Sequence, residues 1–328
     1  MRADVAVIIV NYGTADMAIA AADSVLARSA DGRTVEIHIV DNASPGDDRA
    51  VLGAQADRWG PAVTLHLEDT NHGFGRGNNL VLRALAGRDS PPDLVYFLNP
   101  DARLVTNTIA ELSGFLADHP AAAVVGSGIL HEATGQPVTS AFRFPGVLSE
   151  FEGSVHLGIV SRLLRRWAVP LAADIPVQQV GWVAGASVMA RLRALTEVGF
   201  FDPDFFLYYE EVELMHRINR RGWQIWHLPQ SQVIHVGGAA TGVSSENSAH
   251  PARPAYWYDS WRLYFQKTQG PVRARLTVLS RLVGTLLGNA VTRLRRVPSR
   301  NPANFVRDFW GHVVRPMFGL SRPAKAPP

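Results

Sequence analysis

Two short stretches of this chain carry side chains able to hold cations and move protons. Asn99-Pro100-Asp101 follows the apolar run 94–98. A carboxylate at a strand end can hold Mg²⁺ or Mn²⁺ against a diphosphate, because both ions prefer oxygen ligands. Pro100 restricts the backbone and helps to aim Asp101, although the same tripeptide also makes an ordinary turn. The second stretch, Tyr208-Tyr209-Glu210-Glu211-Val212-Glu213, sets three glutamates in four positions at the head of an expected helix over 210–221. One of these carboxylates is a candidate general base for a hydroxyl group. Phe205, Phe206, Tyr208 and Tyr209 would supply an aromatic wall against sugar C–H surfaces. Stabilisation of the helix N-terminus by its dipole accounts for acidic residues there equally well. His235 closes the apolar run 232–236 and, as a neutral imidazole converging on Asp101, would complete an oxygen and nitrogen metal site.

The glycine-rich segment Gly73-Phe74-Gly75-Arg76-Gly77-Asn78-Asn79 has the spacing G-x-G-x-G. A dinucleotide fingerprint needs G-x-G-x-x-G after the first strand, and this segment follows the third, which argues against hydride-transfer chemistry. It remains a turn able to bring backbone N–H groups, Gly77 and Asn78 near a phosphate.

These groups need a scaffold, and the alternation of runs supplies one. Residues 5–10, 35–40, 63–67 and 94–98 are short, apolar and β-rich, separated by helix-prone stretches at 15–28, 46–56 and 77–86. Such alternation predicts a mostly parallel sheet with helices on both faces. Ligands of such sheets sit beyond the carboxyl ends of the strands, where Asn11-Tyr12, Asp41-Asn42 and Asn99-Pro100-Asp101 all fall. The stretch 131–175 reads as a loop-rich excursion over the site. A second ordered block follows, with a helix over 191–198 and short strands at 224–227 and 232–236.

The composition narrows the class. A hydrophobic share of 47% with 19% charged residues across 328 residues supports a sizeable core. With no cysteine in the chain, disulfides, cysteine metal sites and thiol catalysis are excluded. The apolar run at 5–10 is too short for a signal-peptide core or a membrane span, so a cytoplasmic location is expected. Residues 271–328 carry eleven Lys and Arg against the single acid Asp308, so this tail should meet something anionic. Leu276, Leu279, Val283, Leu286, Ala290 and Leu294 recur at helical spacing. That stripe suits an anionic membrane surface, packing against the rest of the chain, or a homodimer contact. Regularly interleaved aromatics are absent from the tail, which speaks against nucleic acid as a partner.

Taken in order, the segments resemble family 2 of the glycosyltransferases, especially its rhamnosyltransferase-like branch. They are Val7-Ile8-Ile9-Val10-Asn11-Tyr12, Val40-Asp41-Asn42-Ala43-Ser44, the loop 71–79, Leu98-Asn99-Pro100-Asp101-Ala102, Gly181-Trp182-Val183-Ala184-Gly185-Ala186, Gly199-Phe200-Phe201-Asp202, Tyr209-Glu210-Glu211-Val212-Glu213-Leu214, Arg221-Gly222-Trp223 and Val233-Ile234-His235. The resemblance implies a GT-A type, Rossmann-like α/β fold over 1–270, with a donor half to about residue 130 and an acceptor half beyond it. Residues 271–328 would then be a basic amphipathic helical extension with a disordered Pro-rich tail. It also implies a nucleoside-diphosphate sugar donor, dTDP-rhamnose by preference, a lipid-linked or cell-envelope glycan acceptor and a divalent metal, Mg²⁺ or Mn²⁺. Work at the inner membrane face would follow. Carried over by position, Asn11, Tyr12, Asp41 and Asn42 would serve the base and ribose, and Gly77, Asn78 and Asn99 the diphosphate. Asp101 and His235 would hold the metal, Glu211 would be the catalytic base, and Trp182, Gly185 and Glu210 would line the acceptor side. Two departures stand out: Asn99 replaces the first Asp of the family's Asp-x-Asp, and Glu211 stands where the family usually has Asp. Glu210 and Glu213 therefore compete with Glu211 for the role of base. The Gln-x-x-Arg-Trp signature of processive members is absent, so one sugar per encounter is expected. A non-catalytic sugar-binding module and a nucleotidyltransferase are the rival readings. The second lacks a basic glycine-rich loop after the first strand.

Overall fold

The computed structural model describes residues 3–28, 30–237 and 252–320. The Pro-rich end of the tail, expected to be disordered, lies outside them. The described residues within 1–142, 170–206 and 210–245 form one compact unit, and those within 143–169, 207–209 and 246–328 form a second.

The first unit is built on a mixed sheet. Its strands are β1 (Val5–Asn11), β2 (Val35–Asn42), β3 (Val63–Glu68), β4 (Leu94–Leu98), β5 (Ala102–Leu104), β6 (Ala122–His131), β7 (Pro137–Val138), β8 (Ala141–Phe142), β9 (Gln178–Gln179), β10 (Trp182–Val183), β11 (Ser187–Arg191) and β12 (Gln224–His235). The main order is β3-β2-β1-β4-β11-β6-β12-β5, while β8 and β10 form a separate antiparallel pair. The first four strands run parallel, as the alternation of the sequence requires. The antiparallel strand β11 inserts between β4 and β6. Every residue of β1 is buried, which is why it reads as an unbroken apolar run. Truncating Ile8 or Ile9 to Ala would cost about 2–5 kcal/mol of stability.

Two expectations need correction. The separate strands at 224–227 and 232–236 are one strand, β12, with a register shift between Leu228 and Gln232 where it pairs with β6. An irregularity of this kind lets the chain keep pairing while carrying a proline, here Pro229. The stretch 131–175 is not simply loop-rich, since it contains the helices Val147–Val155 and Gly158–Leu164.

The second unit is helical. Its long helix, Ala255–Leu294, bends at Gly270, which has φ 72° and is followed by Pro271. The arm before the bend buries Tyr258, Trp261, Tyr264 and Phe265. Trp261 meets Phe309 edge-on at 5.1 Å, and Phe305 stacks on Phe309 at 5.3 Å. The arm after the bend presents small residues to the helix Val147–Val155. A Cβ on Gly284 would stand 2.9 Å from the Phe151 carbonyl oxygen, and one on Gly288 would stand 2.7 Å from that of Val155. Close approach of two helix backbones, made possible by glycine, holds this pair together.

Candidate active site

The sheet register gathers the expected residues at one edge. Asn11 at the end of β1 lies opposite Asp41 at the end of β2, and β4 ends beside them at Leu98. Asn11 is fully buried, and its amide nitrogen reaches Asp41 Oδ1 at 3.1 Å, Ser44 Oγ at 3.1 Å and Asp48 Oδ1 at 3.0 Å. Its oxygen accepts from the Thr14 hydroxyl at 2.8 Å. This side chain ties the connection after β1 to the one after β2. Asn42 does similar work for the next loop, donating to Asn71 Oδ1 and the Gly73 carbonyl while accepting from the His72 N–H. Tyr12 is 37% exposed, and the buried Asp41 Oδ2 lacks a hydrogen bond, with Arg49 Nε 3.9 Å away.

The glycines of the 73–77 loop have packing roles. Gly73 has φ 75°, and a Cβ there would collide with the Phe206 carbonyl; Gly75 lies against Phe201 and Gly77 against Val10. The helix Phe74–Ala86 starts at this turn. Asn78 donates to the Phe74 carbonyl at 3.0 Å, leaving its buried Oδ1 without a partner. Asn79, which sequence reasoning gave no role, clamps Phe201 by both backbone groups, at 2.8 and 3.0 Å.

Asp101 and His235 do meet. β12 pairs with β5 so that His235 lies opposite Ala102. Its Nε2 stands 3.1 Å from Asp101 Oδ1 and 3.4 Å from the Asn99 amide nitrogen. The other carboxylate oxygen of Asp101 accepts from the Gly237 N–H at 3.1 Å. Among the described residues, no group of three His, Cys, Asp or Glu is placed to hold a metal ion.

The same strand edge leads to the glutamates. The Asn99 N–H donates to the Ala186 carbonyl at 3.0 Å, and the neighbouring Gly185 faces Glu211, whose Cγ is 3.8 Å from an added Cβ. Trp182 stacks on Phe142 at 4.0 Å. Tyr208 and Tyr209 both have positive φ, 69° and 66°, and turn the chain sharply into the helix Glu210–Arg220. Two consecutive side-chain-bearing residues in this region store strain. Of the residues expected to form an aromatic wall, Phe205 is fully buried, and Tyr209 packs on Tyr264 within the helical unit.

The three glutamates differ in their surroundings. Glu213 forms a two-pronged pair with Arg217, at 2.6 and 2.7 Å, and Arg217 also donates to the Val198 and Phe200 carbonyls. The Glu–Arg spacing of four is the sequence signal for this clamp. Glu210 and Glu211 have no such cation, and each has a buried Oε2 without a hydrogen-bond partner. Burial raises both carboxyls above the ordinary range, Glu210 the more strongly because the Glu211 charge adds to it. Backbone N–H groups of Glu211 and Val212 partly offset the rise at Glu211. Burial thus disfavours charge on both carboxyls, and a charge on one disfavours a charge on the other.

Comparison with known proteins adds an independent line. The family model described as glycosyl transferase family 2 matches residues 6–160, and that described as glycosyl transferase family group 2 matches residues 157–318. The chain is 27% identical over 230 residues to the N-acetylglucosaminyl-diphospho-decaprenol L-rhamnosyltransferase of Mycobacterium tuberculosis, covering 66% of this chain and 72% of that protein. It is 26% identical over 166 residues to the rhamnosyltransferase WbbL of Escherichia coli, covering 50% and 61%. Among solved structures, it resembles the mannosyltransferase PcManGT from Pyrobaculum calidifontis in complex with GDP-Man and Mn²⁺. That likeness has a TM-score of 0.55 at 16% identity and covers 98% of this chain and 82% of the other. GalNAc-T7 with UDP, GalNAc and Mn²⁺ gives a TM-score of 0.58 at 13% identity, covering 95% and 54%. At these identities the structural likeness speaks to the shared GT-A-like fold.

Proposed function

The chain belongs to family 2 of the glycosyltransferases, on its rhamnosyltransferase-like branch, and we propose that it moves one sugar per encounter, with inversion, from a nucleoside diphosphate to an acceptor hydroxyl. The donor in this reading is dTDP-rhamnose. The acceptor is a lipid-linked or cell-envelope glycan met at the inner face of the membrane. The Mycobacterium tuberculosis relative, named as an L-rhamnosyltransferase of N-acetylglucosaminyl-diphospho-decaprenol, supports a rhamnosyl group and a lipid-linked acceptor.

The observation that carries the reading is the buried, unpartnered Oε2 of Glu211, held against Gly185 on the segment that bonds to Asn99. A buried carboxylate without a cation partner, its carboxyl raised by burial, is suited to take the proton from an acceptor hydroxyl. Glu210, whose carboxyl burial raises, would line the acceptor side with Trp182 and Gly185. Asp101 Oδ1 and His235 Nε2 already lie 3.1 Å apart, beside the Asn99 amide. One carboxylate oxygen and one imidazole nitrogen at this spacing fit Mn²⁺ or Mg²⁺, and Asp101 and His235 would hold such an ion. Bound there, a divalent cation would offset charge on the departing nucleoside diphosphate. Tyr12 and Asp41 would meet the base and ribose, Gly77 and Asn78 would lie near the diphosphate, and Asn11 and Asn42 would hold the surrounding loops in place.

Calorimetric titration with dTDP, UDP, GDP and NAD, with and without Mn²⁺, tests this reading on the unmodified protein and Asp101→Ala. The expected result is Mn²⁺-dependent binding of dTDP that is lost in the variant. Binding of NAD alone, or of no nucleotide under any condition, would remove the reading.

A further inference from the structure

The long helix of the second unit is amphipathic in an unusual sense. After the bend at Gly270, its buried positions are Ala274, Thr277, Val278, Gly284, Thr285 and Gly288, mostly small residues, with Gly284 and Gly288 set against the helix Val147–Val155. The large aliphatic residues face outward. Leu276, Leu279, Val283, Leu286 and Leu287 are each 45–49% exposed, and Val272 and Leu294 are 67% and 84% exposed. At 100° per residue these seven lie within one stripe about a third of the helix circumference wide. A soluble helix normally buries such a stripe and exposes its small residues, so this face is built to meet something apolar.

Charge identifies the partner. Arg273 flanks one side of the stripe, and Arg275 and Arg293 flank the other, while residues 271–294 contain no Asp or Glu. A second copy docked about a two-fold axis on this stripe would set arginines against arginines with no acid to compensate. An anionic bilayer satisfies both features, with acyl chains under the leucines and phosphates beside the arginines. The helix Gly158–Leu164 of the same unit repeats the pattern: Ile159 and Leu163, one turn apart, are each 72% exposed, and Arg162, Arg165 and Arg166 neighbour them. Where the long helix ends, a cleft of about 470 Å³ is lined by His156, Val291, Thr292, Arg295, Ser299 and Arg300. Two exposed guanidinium groups with hydroxyl and imidazole neighbours are a recognition set for a phosphate monoester or diester. Among the described residues, no helix is long and apolar enough to cross a membrane, so the helix would lie in the plane of the surface.

We propose that the helical unit is a membrane-docking surface, its exposed stripe from Val272 to Leu294 seated in the interface of an anionic bilayer and the Arg295–Arg300 cleft taking a phospholipid phosphate. This specifies the membrane part of the function proposed above and rests on no assumption about the sugar.

The test uses the full chain in flotation assays. The vesicles are pure phosphatidylcholine, or phosphatidylcholine with one-third phosphatidylglycerol, at low and high salt. The expected result is binding to the anionic vesicles alone, weakened by salt. Leu279→Gln combined with Leu286→Gln should weaken it by at least about tenfold. Arg295→Gln combined with Arg300→Gln should weaken it by about fivefold for each charge removed. Nucleotide binding by the same samples should be unchanged, which separates failure here from failure of the transferase reading. Absence of binding to anionic vesicles at low salt would overturn the proposal. So would binding indifferent to the leucine pair, or a concentration-dependent dimer in sedimentation velocity that the leucine variant abolishes while vesicle binding persists.

Discussion

At the scale of single residues, the site turns on how three neighbouring glutamates are kept chemically distinct. Arg217 neutralises Glu213 and fastens it to the backbone at 198–200, so that group is committed to structure. Glu210 and Glu211 share a buried region without a cation, where burial raises both carboxyls and the charge of Glu211 raises Glu210 further. Glu211→Gln should leave nucleotide affinity unchanged and lower kcat by about 10²–10⁴-fold, measured by product formation. The pH profile should show the same group. Because burial raises the Glu211 carboxyl, kcat/KM should rise as pH climbs through that raised value, and a residual rate in Glu211→Gln should lose this limb. Glu210→Gln tests the partner through stability. A carboxyl whose folded pKa lies above its unfolded value stabilises most at low pH, and that contribution is lost as pH rises through the folded value. The variant should therefore be more stable than the parent at neutral pH, with the difference vanishing below the ordinary carboxylate range, as read by denaturant unfolding across pH.

At the scale of elements, strand ends and close helix contacts do the positioning. β1, β2 and β4 deliver Asn11, Asp41 and Asn99 to one edge because they are parallel neighbours. The antiparallel β11 brings Ser187 opposite Leu98, and so carries Gly185 and Ala186 back to that edge. The later strand β12 then returns His235 to Asp101 through its pairing with β5. In the helical unit, the contact between the arm 271–294 and the helix Val147–Val155 depends on the absence of side chains at Gly284 and Gly288. Gly288→Ala should destabilise this unit by about 1–3 kcal/mol, because the new methyl meets backbone oxygen that cannot turn away. Thermal unfolding followed by circular dichroism checks this, and a gain in stability would mean that the helices separate at little cost.

At the scale of the whole molecule, buried imidazoles set how the fold responds to acid. Burial lowers His38 and His227 to about 4, and the charge of His66 adds to the effect at His38. Groups held below their unfolded pKa cost stability as pH falls, since the unfolded chain takes up protons first, from about 6.5 downward. The loss should run from about pH 6.5 to about 4 and then level, opposed in part by the raised glutamates. His227→Gln should flatten that limb in urea titrations at successive pH values. An unchanged limb would show that His227 remains neutral in both states or charged in both.

The parallel half of the sheet was legible in the sequence because each strand is a short apolar run set off by turn chemistry. The common placement of Asn11, Asp41, Asn42, Asn99 and Asp101 was legible for the same reason, since polar residues at the carboxyl ends of parallel strands fall at one edge of the sheet. The meeting of Asp101 with His235 was inferable only from the order of motifs. The tertiary structure shows it as a register, because residues 134 positions apart become neighbours through β5 and β12. Local pattern also could not tell Glu211 from Glu213, since their difference lies in a salt bridge at Glu213 and a buried, unpartnered oxygen at Glu211 rather than in residue type. Periodicity identified the stripe Leu276–Leu279–Val283–Leu286–Leu294 but left its direction open. A helical repeat specifies which residues share a face, and only packing decides whether that face is the one turned inward; here the glycines won the interior and the leucines were left outside.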